Sequence, residues 1–169
     1  MQTPIRMRHG WTAAAVAIVL AVAPPAGTGR DADLTASGWR WPVDTVRIVA
    51  PYRAPAHAYG PGHRGIDLAV DDGAVRAPAD GIVAFAGAVA GRGVLTIDHG
   101  DGLVSTLEPV DSHVAVGAAV GRGDPVAAMS AGGHAAPGSV HFGVRLDGEY
   151  LNPQLLIGGV PRAVLLPCC

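Results

Sequence analysis

Gly62-His63-Arg64-Gly65-Ile66-Asp67-Leu68 sets a histidine between two glycines that permit close backbone approach, and an aspartate two residues beyond the second. The even separation of His63 and Asp67 places both side chains on one sheet face if the segment is extended. On its own a His-x3-Asp pattern is more often a surface pair or a satisfied core histidine. The metal alternative gains from the apolar Leu68-Ala69-Val70 that follows, and from a second histidine in strand-like context, His141 in Ser139-Val140-His141-Phe142. His63, Asp67 and His141 would give zinc three protein ligands and leave its fourth position for a water that the metal acidifies.

Outward from this stretch the pattern is short β-branched runs punctuated by glycine, which predicts an all-β domain. The expected strands are Val46–Val49, Gly81–Ala86, Val94–Asp98, Leu103–Leu107, His113–Val116, Val126–Met129 and Val140–Leu146. Turns are expected at Gly91-Arg92-Gly93, Gly100-Asp101-Gly102 and Gly121-Arg122-Gly123-Asp124, and one short helical turn within Leu151–Ile157. The loop from Pro51 to Pro61 delivers the chain to His63 and is long enough to border a groove. Valines alternating with glycines through 116–126 resemble small sandwich barrels of the biotinyl- and lipoyl-carrier kind. A carrier needs a lysine to acylate; all 12 basic residues here are arginine, so that function is excluded while the architecture stays open.

A chain of 169 residues accommodates one ordinary domain with short appendages. A formal net charge of -2 with scattered arginines provides no electrostatic footprint for nucleic acid, and none is expected as a partner. Arg6, Arg8 and His9, then the apolar run Trp11–Ala23, then Pro24-Pro25-Ala26-Gly27 follow the order of a secretory signal. Residues 1–29 are accordingly expected to be a signal peptide or N-terminal anchor, 30–38 a linker, 39–157 the folded domain and 158–169 a tail. The location implied is secreted or cell-envelope. Cys168 and Cys169 end the chain; adjacent cysteines form a disulfide only in a strained ring, so a frayed tail or an intermolecular link is expected of them.

Several separated motifs agree in order with one family. Gly62–Leu68, Ala77-Pro78-Ala79-Asp80-Gly81-Ile82-Val83, the valine-glycine segment 116–126, Val140-His141-Phe142-Gly143-Val144-Arg145 and Asn152-Pro153 together resemble the LytM/lysostaphin-type zinc metallopeptidases, from about Trp41 to Leu156. The resemblance implies a duplicated-hybrid-motif β fold, zinc as cofactor with His63, Asp67 and His141 at the ligand positions, and hydrolysis of peptide cross-bridges in peptidoglycan.

The departures from the family pattern concern proton handling. The usual His-x-His ending here begins with Ser139, and the helper histidine expected in the middle strand is replaced by Pro109 of Leu107-Glu108-Pro109-Val110. Actinobacterial-like relatives share such a Glu-Pro-Val. General acid-base assistance is typically worth about 10^2 to 10^4 in rate, so the alternative is a catalytically impaired member that binds cell-wall peptides or regulates another cell-wall hydrolase. Ser139 shares a strand face with His141. Glu108 is expected to face away from it unless Pro109 bends the backbone. His57 and His134, in Pro/Gly-rich loops, are the imidazoles able to replace the lost ones, although solvated loop histidines are commoner; His99, before a tight turn, is expected to be structural or exposed.

Overall fold

The computed structural model describes residues 38–57 and 59–158. The expected export segment, the linker as far as residue 37 and the Cys168-Cys169 tail lie outside the described residues.

Trp39 and Val43 are buried and join the core. The strands are β1 (Ile48–Ala50), β2 (Gly65–Ala69), β3 (Ala74–Arg76), β4 (Gly81–Val89), β5 (Arg92–Asp98), β6 (Leu103–Glu108), β7 (Val110–Ser112), β8 (Ala119–Val120), β9 (Pro125–Met129), β10 (Ser139–Leu146) and β11 (Glu149–Leu151), followed by the helical turn α1 (Gln154–Ile157). They form an 8-stranded sheet in the order β1-β2-β10-β6-β5-β4-β8, with β11 against β10, and a 3-stranded sheet β3-β9-β7. The named strand pairs are antiparallel.

Alternation explains the layering. Along β10, Val140, Phe142 and Val144 point into the core with Ile66 and Leu68 of β2, Leu107 of β6 and Leu95 and Ile97 of β5. Val75, Val110 and Val126 of the small sheet belong to the same apolar cluster. The opposite phase of β10, which carries Ser139, His141 and Gly143, faces the other side of the large sheet.

The all-β expectation holds, and most strand positions agree to within a few residues. One does not: no strand covers His113–Val116. On the side away from β3, β9 pairs with β7, one step earlier, through Val110, Asp111 and Ser112. The chain then bends as the Ser112 hydroxyl donates to the Val114 carbonyl (2.8 Å) and accepts from the Val114 N–H (3.2 Å). A serine that folds back on its own backbone competes with ladder hydrogen bonds, and that competition ends the strand.

Candidate metal centre

β2 and β10 pair with Asp67 directly opposite His141, and on the far side of β10 the same His141 stands opposite Glu108 of β6. One row across three strands therefore carries a carboxylate, an imidazole and a second carboxylate on a common face. His63 precedes β2, held by an isolated bridge to Arg53 whose two backbone hydrogen bonds measure 2.8 and 3.0 Å. It arrives at the row from the side.

Three donor atoms converge there. His63 Nε2 lies 3.0 Å from Asp67 Oδ1 and 3.1 Å from His141 Nδ1, and His141 Nδ1 lies 2.8 Å from Asp67 Oδ1. His63 Nδ1 is 2.8 Å from the Pro51 carbonyl, which can only accept, so Nδ1 carries the proton and Nε2 of the neutral ring turns a lone pair toward Asp67 and His141. A lone pair, a carboxylate oxygen and a second imidazole nitrogen facing one another attract a cation. Their spacings approach the roughly 3.3 Å that separates ligand atoms on a tetrahedral zinc with bonds of about 2.0–2.1 Å. The donor set of two imidazoles and one carboxylate also suits that ion.

The surroundings support this arrangement. Gly65 lies under the His141 ring: a Cβ there would meet Nε2 and Cε1 of His141 at 2.5 and 2.6 Å. Burial pushes the His141 imidazole below the ordinary histidine value, against the opposing pull of the Asp67 carboxylate. His141 and Asp67 are nearly buried, 7% and 6% exposed, so the donors meet where water competes weakly.

His134 completes a group of four whose donor atoms lie within 4.8 Å of one another and which could hold a metal ion. The expected orientation of Glu108 is corrected by the pairing: it faces His141 across the β6–β10 ladder and is 8% exposed. Arg92, read from the sequence as a turn residue, opens β5 and pairs with Glu108; Nη2 donates to Oε1 at 3.2 Å, while Nε lies 3.0 Å from Oε2 but out of line for a hydrogen bond. Gly62, His63, Arg64, Thr106, His134, Gly143 and Tyr150 join these residues around a cleft of about 300 Å³. Ser139 turns its hydroxyl onto the Ala136 carbonyl (2.6 Å). His99, expected to be structural or exposed, has its ring nitrogens engaged by the Asp80 carbonyl and the Ser105 hydroxyl and does not line this cleft.

Fold and site together define an antiparallel β domain carrying a histidine-aspartate group able to hold a metal ion. Peptidase family M23 matches residues 61–153, and the chain belongs to that family. It is similar to an uncharacterised protein of Mycobacterium tuberculosis, Rv2891, with 34% identity over 129 residues, covering 72% of this chain and 52% of the relative. Similarity to the murein hydrolase activator EnvC of Escherichia coli is 35% over 119 residues, covering 64% of this chain and 28% of EnvC. The chain thus spans about half the length of the mycobacterial relative and less of EnvC. Among solved structures, a zinc-containing peptidase from Vibrio cholerae superposes with a TM-score of 0.60 at 24% identity, covering 74% of this chain and 41% of that one, a likeness of fold.

Proposed function

We propose that the chain is an exported, zinc-dependent peptidase that hydrolyses peptide cross-bridges of peptidoglycan, with His63, Asp67 and His141 as the metal ligands. The observation that carries this reading is the convergence of His63 Nε2, Asp67 Oδ1 and His141 Nδ1 within 3.1 Å of one another. A zinc ion held there would supply Lewis acidity and an acidified water. The chain's own residues do the rest. The Pro51 carbonyl fixes the His63 tautomer and so aims Nε2 at the site. Gly143 and Thr106, paired on the cleft floor, keep side-chain bulk low where an extended peptide would lie.

A second reading has a specific observation behind it. Neither expected helper position presents an imidazole: Ser139 is committed to the Ala136 carbonyl, and the middle-strand position is Pro109. The named activity of EnvC is activation of a murein hydrolase. In this reading the chain binds cell-wall peptides or regulates a hydrolase partner without turning over substrate.

Purified protein is expected to take up about one zinc per chain, and His63→Ala to abolish uptake; full occupancy in that variant would refute the ligand assignment. Peptidoglycan incubated with the zinc-loaded protein should yield new amino termini. Zinc binding without product favours the regulatory reading.

A further inference from the structure

We infer that His134, reaching in from the loop between β9 and β10, supplies the imidazole that hydrogen-bonds an oxygen seated on the metal's open position, and that Glu108, held by Arg92, is its positioning residue. The inference rests on the metal-ligand assignment proposed above.

Spacing separates His134 from the ligands. The atoms of His63, Asp67 and His141 lie within 3.1 Å of one another, whereas the group including His134 extends to 4.8 Å, and the longer separations belong to His134. Ligand atoms on one tetrahedral zinc stand about 3.3 Å apart, so the three closer atoms are assigned to the ion and His134 to what the ion holds. Its ring stands edge-on to that of His141, with centroids 5.0 Å apart, and 6.3 Å from that of His63. The side chain is half-exposed, open to the cleft from which a substrate would enter.

Glu108 and Arg92 explain how a loop histidine is held there. Burying a carboxylate is costly unless it is paired, and Arg92 supplies the charge. Glu108 Oε1 then stands 3.8 Å from His134 Nδ1, within ion-pair reach though long for a hydrogen bond. The loop is seated on the same arginine: a Cβ on Gly133, beside His134, would meet Arg92 Cδ at 2.5 Å, so only glycine lets the backbone settle so closely. Ser139 braces the loop's far end through Ala136. A carboxylate at that distance draws the Nδ1 edge of the ring toward itself and so biases the ring's direction.

The test uses the full chain loaded with cobalt(II) as a spectroscopic substitute for zinc and acetohydroxamate as an oxygen-donor probe. His134→Ala and His134→Asn should retain one metal per chain with an unchanged cobalt spectrum, while acetohydroxamate affinity falls about tenfold. Glu108→Gln should weaken acetohydroxamate in the native background and have no further effect in His134→Ala, a non-additivity that general loosening would not produce. Unchanged acetohydroxamate affinity in both His134 variants, or their loss of metal, overturns the inference. Native protein that binds the probe through His134 yet releases no amino termini from peptidoglycan supports this inference and counts against the peptidase reading. Failure of native protein to take up metal overturns both.

Discussion

His99 bridges three parts of the molecule through one ring. Nδ1–H donates to the Asp80 carbonyl at 2.8 Å, Nε2 accepts from the Ser105 hydroxyl at 2.7 Å, and the ring lies 4.5 Å from that of Trp39. Burial holds this imidazole below the ordinary histidine value of 6.5, so the folded state binds its proton less readily than the unfolded chain. The stability involved is fully present above the ordinary value and is lost as pH falls through the folded one. Urea unfolding should therefore show stability dropping as pH is lowered below the ordinary value of 6.5, and His99→Gln should lessen that slope while costing about 1–3 kcal/mol at neutral pH for its disrupted hydrogen bonds. Gly65 makes an equally local prediction. An alanine Cβ would meet His141 Nε2 and the Phe142 carbonyl, each at 2.5 Å. Gly65→Ala is expected to cost about 1–3 kcal/mol by overpacking and, by displacing His141, to weaken zinc uptake in a competition assay at least about tenfold. Wild-type zinc affinity would show that the ring has room to move.

The strand that matters most is β10, because its two phases serve different purposes. Phe142 is fully buried among the core residues while its neighbour His141 faces the cleft. Phe142→Ala should lower unfolding free energy by about 3–5 kcal/mol in a denaturant titration. Such alternation was readable without a structure, as was the shared destination of His63, Asp67 and His141. The phase of β6 was not. Counting from Pro109 as the cleft-facing position turns Glu108 outward, and only its pairing with His141 reveals the opposite. Arg92 escaped for a related reason: glycine punctuation marks where a chain turns, not which flanking residue opens the next strand. His113–Val116 had strand composition, but past the His113 N–H, which still reaches the Val126 carbonyl, the Ser112 hydroxyl takes both backbone groups of Val114. His134 was visible as a loop histidine, yet its position depends on the docking of Gly133 on Arg92, a contact between residues distant in sequence.

Across the whole domain, the entering segment is tied to the small sheet by charge and backbone together. Asp44 accepts from Arg76 at 2.8 and 2.9 Å and from Arg40 at 3.2 Å, while the Arg76 N–H donates to the Pro42 carbonyl at 2.9 Å. The Arg76 guanidinium keeps the Asp44 carboxyl below the usual carboxylate range. A depressed carboxylate contributes stability that is present above its unfolded value of 3.8 and lost as pH falls through the folded one. Both partners are solvent-accessible, so the effect is small and screened by salt. Asp44→Asn should melt slightly earlier at pH 7 and low salt, with the deficit vanishing in strong acid; a deficit that persists there would point to packing instead.

Asp67 and His141 are 74 positions apart along the chain and 2.8 Å apart in space. An ion gripping both would act as a cross-link, closing a loop that spans most of the domain. On the chain-entropy scale used for disulfides, a loop of that length is worth about 4–5 kcal/mol. Among the described residues there is no cysteine to provide such a tether. Chelation should then do more than empty the site: it should release the clasp between the neighbouring strands β2 and β10, lowering the melting temperature and opening the intervening chain to proteolysis.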